Sequence, residues 1–204
     1  MIPEPKTIEL NIDATLARHD PDRFLDSYLD ALVSENSKIN LVSRETSMTD
    51  LRRLAAESLL PLAYMKGSID SYMDIGSGGG FPSIPILIAL RPSTRACLVE
   101  RTLKKAYALK GIIRSLELHA LVFESTYEET DFEGRFDLIT LRLVTLSRPL
   151  LKQIYRDLKP GGYLVYYNHT DLILDGFTRE GYSYVSSQSS PLKGFTIFRK
   201  THVQ

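Results

Sequence analysis

One turn of this chain is rich in glycine and directly follows a short apolar run. Residues 74–82 read Asp-Ile-Gly-Ser-Gly-Gly-Gly-Phe-Pro. Glycine has no Cβ, so a turn of this composition lets backbone atoms approach a ligand closely. In doubly wound α/β sheets, ligands bind beyond the carboxyl ends of the strands, where such turns lie. We therefore expect a binding turn here, although a glycine cluster alone also fits a tight turn without a ligand.

Two carboxylates bracket this turn, Asp74 before the glycines and Glu100 at the end of the next apolar run. A carboxylate at the end of the second strand of an α/β domain commonly binds the hydroxyls of a ribose. Asp74 could accept a hydrogen bond from an amine, directly or through water. An amine and a ribose within one ligand indicate S-adenosylmethionine as the cofactor.

Other interpretations compete for the same residues. A dinucleotide site has the spacing Gly-x-Gly-x-x-Gly and holds a pyrophosphate at a helix N-terminus. Here the spacing is acidic-x-Gly-x-Gly-x-Gly, which disfavours NAD but leaves it as the main competitor. Glu100 could also be a solvated strand end or could cap the helix that begins near Thr102.

The surrounding pattern indicates how these residues are positioned. Apolar residues recur at helical spacing over residues 22–32 and 50–65, whereas short β-prone runs alternate with helices from about residue 71. Such alternation predicts βαβ units and a parallel sheet. The last two runs, residues 181–187 and 194–200, predict an antiparallel hairpin. We place an N-terminal helical extension at 1–66 and one compact cofactor-binding domain at 67–204.

Composition narrows the class of protein. The 204 residues carry no formal net charge, so any contact with nucleic acid would need a local basic face. No apolar run approaches the ~20 residues that span a bilayer. The single cysteine, Cys97, fits a reducing cytoplasm, and we expect it in the core. The histidines are too scattered for a metal site, so we expect no metal. The lack of a long apolar run predicts that no membrane is a partner.

Several segments together resemble one family, the bacterial small-subunit (16S) rRNA guanine-N7 methyltransferases, also called the glucose-inhibited division protein B family. The most specific is residues 74–85, where Phe-Pro-Ser-Ile-Pro continues the glycine turn. Residues 36–43, Asn-Ser-Lys-Ile-Asn-Leu-Val-Ser, and 136–142, Phe-Asp-Leu-Ile-Thr-Leu-Arg, are also similar. The resemblance implies a class I (Rossmann-like) α/β methyltransferase with a mostly parallel seven-stranded sheet and N-terminal helices.

The resemblance also implies roles for residues. The cofactor-binding set comprises Asp74, Gly76, Gly78, Gly80, Phe81, Glu100, Thr126, Tyr127 and Glu128. The substrate-binding set comprises Asn40, Arg142, Arg148 and His169. Arg142 is the candidate catalytic residue, because it follows an apolar strand at the edge where ligands bind and could contact an RNA phosphate or the O6 edge of guanine. The alternative for Arg142 is a surface ion pair with Asp137 or Glu133.

The chain also departs from the family pattern. Leu54 stands where the family usually has His, Thr126 begins the segment where it has Arg-x-Glu, and Leu143 replaces an Ala after the strand. Asn168 lies where the fifth strand of the family ends in Lys. The expected activity is methyl transfer to guanine N7 of 16S rRNA, with rRNA or the small ribosomal subunit as partner. A related methyltransferase for another RNA or a small molecule, and an assembly factor without catalysis, are the alternatives.

Overall fold

The protein is described by a computed structural model that covers residues 4–186 and 189–201. The α-helices are α1 (Ile12–His19), α2 (Phe24–Asn36), α3 (Met48–Leu59), α4 (Ser83–Leu90), α5 (Leu103–Ser115) and α6 (Arg148–Asp157). The strands are β1 (Lys6–Glu9), β2 (Ser71–Ile75), β3 (Arg95–Val99), β4 (Ala120–Phe123), β5 (Phe136–Leu141), β6 (Leu158–Tyr166), β7 (Phe177–Ser186) and β8 (Ser189–Lys200). Two 3₁₀ helices, Leu60–Tyr64 and Tyr127–Glu129, complete the regular structure.

Within the described residues, eight strands form one sheet in the order β1-β7-β8-β6-β5-β2-β3-β4. Strand β8 pairs antiparallel with both β6 and β7, and the other pairings are parallel. The predicted parallel sheet and the C-terminal hairpin are therefore confirmed. The predicted number of seven strands was too low, because β1 adds to the outer edge of β7.

Helices cover both faces of the sheet, because the helices that connect its parallel strands pack on either side. On one face, leucines and isoleucines of α1 to α5 form a continuous core with the sheet. On the other face, Leu150, Leu151 and Ile154 of α6 pack against Met73 and Ile139. Cys97, expected in the core, is only half-buried on β3. Among the described helices, none is long and apolar enough to cross a membrane.

The N-terminal helices pack closely on the glycine turn. Helix α3 begins with a capping box in which Ser47 and Asp50 exchange hydrogen bonds, which fixes its start. The side chain of Asn36 at the end of α2 accepts hydrogen bonds from the backbone nitrogens of Leu41 and Val42. Leu41 then lies against Gly79.

The division of the chain at residue 66 stays a prediction. The part before residue 66 contains the strand β1, which the sequence pattern did not indicate.

Candidate active site at the switch in strand order

The candidate site lies where the order of the strands reverses. From β2 the chain proceeds to β3 and β4 on one side, whereas β5 and β6 lie on the other side of β2. A crevice opens at such a switch point, beyond the carboxyl ends of the strands. Asp74 of β2 lies directly opposite Thr140 of β5 in this region.

The glycine turn is shaped for close approach. Gly76 and Gly78 have φ angles of +77° and +52°, a backbone conformation that L side chains rarely adopt. A Cβ on Gly76 would lie 2.5 Å from Cγ2 of Val144, so Gly76 cannot be replaced without movement. A Cβ on Gly78 would meet nothing nearer than the carbonyl oxygen of Gly76 at 3.8 Å. The turn thus leaves open space over Gly78, and this space could receive a ligand.

Asp74 is a buried carboxylate with one oxygen unused. Its side chain is 1% exposed, and Oδ1 accepts a hydrogen bond of 2.6 Å from the Thr140 hydroxyl. Within the described part of the chain, neither Asp74 Oδ2 nor the buried hydroxyl of Ser83 has a hydrogen-bond partner. Burial raises the pKa of Asp74 to about 6, against the opposing effects of the nearby hydroxyls of Thr140, Ser77 and Ser83. The hydroxyl of Ser83 therefore lies close enough to Asp74 to affect its pKa, although its geometry is not that of a hydrogen bond. A buried carboxylate oxygen without a partner fits a cationic ligand such as an amine.

Glu100 joins the glycine turn to the next helix. Its Oε2 accepts from the backbone nitrogen of Gly78 at 2.9 Å, and its Oε1 accepts from that of Thr102 at 2.7 Å. The capping interpretation is therefore confirmed in part, while a solvated strand end is ruled out because Glu100 is only 6% exposed. Binding of a ribose by Glu100 stays a prediction. Each carboxylate oxygen has two acceptor positions, so Glu100 can still accept from the hydroxyls of a ribose.

The other predicted cofactor-binding residues have different environments. The ring of Phe81 packs edge-to-face on Tyr28. Thr126 begins a short 3₁₀ helix, and the Tyr127 hydroxyl donates to buried Asp157 at 2.6 Å. Glu128 is exposed. Because the side chain of Tyr127 is used in the core, its backbone is the part that could face a cofactor, and these assignments stay predictions.

Arg142 forms an ion pair that the sequence did not indicate. Its Nη2 lies 2.7 Å from Oε2 of Glu57 on α3, rather than near Asp137 or Glu133. Glu57 is 1% exposed, and its Oε1 lies 3.1 Å from Nζ of Lys193 on β8. One buried carboxylate thus holds two cations at the carboxyl end of the sheet. We call Arg142, Glu57 and Lys193 the charged triad.

Tyrosines surround the charged triad. The guanidinium of Arg142 lies 5.6 Å from the ring centre of Tyr167, which stands just after β6. The hydroxyl of Tyr28 donates to the carbonyl of Gly79 at 2.9 Å and so connects α2 to the glycine turn. Burial raises the pKa of Tyr28, Tyr167 and Tyr184 above the ordinary value. These hydroxyls remain protonated at neutral pH and act as hydrogen-bond groups rather than bases.

The remaining predicted substrate-binding residues are exposed. Asn40 accepts a hydrogen bond from Arg44, and Arg148 stands at the first position of α6. His169 lies three residues beyond β6, and its Nε2 is 3.2 Å from the hydroxyl of Ser183. None of these three side chains hydrogen-bonds to Asp74 or Arg142 within the described residues, and their roles stay predictions.

Sequence reasoning missed Glu57, Lys193 and Ser83 as site residues. Glu57 carried a usable signal, since it precedes Ser58-Leu59 at the position where the resembling family has Asp-Ser-Leu. Lys193 had no such signal because it lies in the last strand, far from any motif. Only the antiparallel pairing of β8 with β6 brings it to this edge of the sheet.

The sheet order, the glycine turn and the two flanking carboxylates define a class I methyltransferase that uses S-adenosylmethionine. A family profile described as rRNA small subunit methyltransferase G matches residues 22–173. The chain belongs to this family. It is 35% identical over 169 residues to the ribosomal RNA small subunit methyltransferase G of Chlorobium phaeobacteroides, covering 81% of this chain and 74% of that protein. The protein of the same name from Helicobacter hepaticus is 32% identical, over 76% of this chain and 89% of that one.

Solved structures agree on the fold. An O-methyltransferase from Bacillus cereus in complex with S-adenosylhomocysteine superposes with a TM-score of 0.61 at 18% identity, covering 94% of this chain and 100% of that one. An O-methyltransferase from Streptomyces achromogenes, in complex with S-adenosylmethionine, gives 0.58 at 14% identity over 86% and 90% of the two chains. At these identities the likeness concerns the fold alone.

Proposed function

We propose that this protein transfers a methyl group from S-adenosylmethionine to N7 of a guanine in 16S rRNA. The observation that carries the proposal is the buried, unpartnered Oδ2 of Asp74 beside an open glycine turn. Membership of the rRNA small subunit methyltransferase G family supports rRNA as the acceptor. The small ribosomal subunit, or its RNA, is the partner that this function requires.

The residues of the chain have distinct tasks in this proposal. Asp74 would accept a hydrogen bond from the amine of the methionine part, and Glu100 would accept from the ribose hydroxyls. When bound, S-adenosylmethionine supplies a methyl group on a positively charged sulfur. Arg142 would bind the O6 side of the guanine or a nearby phosphate, while Glu57 fixes its orientation. Positioning of this kind can lower a barrier by up to ~7–11 kcal/mol.

The titration behaviour of the site favours N7 as the target atom. N7 of a neutral guanine has an in-plane lone pair and no proton, so it needs no general base before it attacks the methyl group. The tyrosine hydroxyls beside Arg142 are protonated at neutral pH, since a free tyrosine titrates near ~10 and burial raises the pKa of both further. A hydroxyl acceptor, in contrast, would require a base to remove its proton. The site therefore suits an acceptor that is already nucleophilic.

The proposal is tested with small ribosomal subunits from cells that lack this protein. Purified protein and methyl-labelled S-adenosylmethionine should introduce 7-methylguanosine at one position, located by mass spectrometry of nuclease fragments. Arg142→Ala should lower methylation more than it lowers cofactor affinity measured by calorimetry. Label in another nucleoside would point to a different acceptor. Cofactor binding without any transfer would favour an assembly factor that lacks catalysis.

A further inference from the structure

Among the described residues, Leu143 is the large apolar residue with the highest exposure, at 99%. It directly follows Arg142, at the carboxyl end of β5, beside the glycine turn. An isolated exposed leucine needs no explanation by itself. Leu143, however, lies on the loop that borders the candidate site, where an exposed apolar side chain can contact a substrate.

The backbone at Leu143 is also unusual. Its φ angle is +60°, in the left-handed region that bulky residues rarely adopt. Of the two other non-glycine residues with positive φ, Glu117 lies just beyond the C-terminus of α5, where the left-handed conformation is common, and Arg23 is the residue before α2. Leu143 lies at no helix end. Backbone strain without such a local cause is concentrated at functional sites.

The neighbours of Leu143 fix the direction in which it points. Arg142 turns inward to Glu57, and the side chain of Val144 lies against Gly76. Both neighbours of Leu143 are thus held by the protein, whereas the side chain of Leu143 itself projects into solvent. The left-handed conformation allows this sequence of inward, outward and inward side chains within a three-residue turn.

We infer that Leu143 packs against the ring face of the acceptor guanine; the inference rests on the proposed function. A base that leaves its stack to reach an active site loses stacking contacts, and apolar side chains commonly replace them. Tyr28 is fully buried, so its ring presents no free face at this edge. Leu143 offers an apolar surface one residue from the guanidinium that would bind the edge of the same base. Arg142 would thus bind the O6 side of one guanine and Leu143 its face, which leaves N7 free to react.

Three variants separate the side chain from the backbone strain. With small ribosomal subunits as substrate, Leu143→Ala should lower kcat/KM about tenfold through a higher KM, as expected for loss of a buried leucine contact. Leu143→Met should keep activity within about threefold because it retains an apolar side chain of similar volume. Leu143→Gly should lose as much activity as the alanine variant, yet raise Tm by a few degrees by relieving the positive φ. Leu121→Ala, on the edge strand β4 and 66% exposed, is the matched control and should change nothing.

The outcomes are distinguishable. Unchanged kcat/KM in Leu143→Ala, with the unaltered protein active, would overturn the inference and leave the proposed function intact. A loss of cofactor affinity equal to the loss of kcat/KM would also overturn it, because Leu143 would then contact the cofactor. An unaltered protein that transfers no methyl group to small-subunit rRNA would remove the proposed function and this inference together.

Discussion

The two parts of the candidate site, which we call the cofactor half and the acceptor half after their proposed roles, are built in opposite ways. In the cofactor half, Asp74, the glycine turn and Glu100 come from consecutive parallel strands, and Asp74 keeps a buried oxygen without a partner. In the acceptor half, Arg142 follows β5, Glu57 lies on α3 and Lys193 on β8, and the one carboxylate pairs with both cations, which leaves one net positive charge. Among the described residues, the buried carboxylate of Asp74 therefore has no cationic partner, whereas that of Glu57 has two and Nη1 of Arg142 still lacks an acceptor.

This difference separates stability from binding. A buried carboxylate without a cation costs folding free energy until a ligand supplies the charge. A buried carboxylate between two cations is tolerated because the partners compensate its desolvation, and removing one member leaves an unbalanced charge. We therefore expect charge removal to have opposite effects on the stability of the two halves.

The largest effect is expected in the acceptor half. Glu57→Gln should lower the free energy of unfolding by about 3 kcal/mol, because Arg142 and Lys193 then lack their shared counter-charge. Urea denaturation measures this loss. Glu35→Gln removes an exposed pair with Lys38 and should cost no more than about 0.5 kcal/mol. Equal losses in the two variants would mean that the charged triad stabilises the fold no more than an exposed ion pair does.

The cofactor half should respond in the opposite direction. Asp74→Asn should weaken S-adenosylmethionine binding by roughly ten- to a hundred-fold, since a charge-assisted hydrogen bond is lost. The same variant should raise the stability of the free protein at pH 8 by about 1–3 kcal/mol, because the raised pKa makes ionised Asp74 unfavourable in the folded state.

This gain in stability has a defined pH dependence. The folded-state pKa of Asp74, about 6, lies above the unfolded value, so wild-type stability falls as pH rises through that range. The advantage of Asp74→Asn should therefore disappear as pH is lowered toward 4, where Asp74 is neutral in both states. Asp137, at the other end of β5, is the control: although partial burial opposes it, hydrogen bonds from Ser71 and Lys159 lower its pKa. Asp137→Asn should lose stability at pH 8.

Cofactor affinity should also depend on pH. Between pH 7 and 5 the amine of S-adenosylmethionine stays protonated, while Asp74 of the free protein gains a proton with a pKa of about 6. Affinity measured by calorimetry should therefore fall about tenfold as pH drops from 7 to 5. Asp74→Asn should remove this dependence. A wild-type affinity that stays constant over this range would place the amine elsewhere.

The smallest effect is expected for the chemical step. At saturating cofactor, the rate of single-turnover methylation should be nearly constant from about pH 6.5 to 9, because N7 needs no base. This range would reveal a histidine base, since an unperturbed histidine titrates near ~6.5. His169→Ala should lower the rate slightly, if at all. A steep rise with pH that this variant abolishes would instead indicate a general base and a different target atom.

The sequence by itself determined most of the fold and predicted the cofactor half of the site. The alternation of apolar runs located β2 to β6 and the final hairpin, because periodicity is a local property. The glycine turn and Glu100 could be associated because the carboxyl ends of neighbouring parallel strands meet at one edge of the sheet. In both cases the information lies within a short stretch of chain.

Tertiary structure alone decided the rest. The strand β1 is short and mostly exposed, so its pattern is weak, and only pairing with β7 makes it a strand. Lys193 reaches Glu57 across 136 positions of the chain. The positive φ of Leu143 follows from the packing of the residues on both sides. Long-range pairing and backbone geometry depend on the assembled sheet, and no local pattern of residues encodes them.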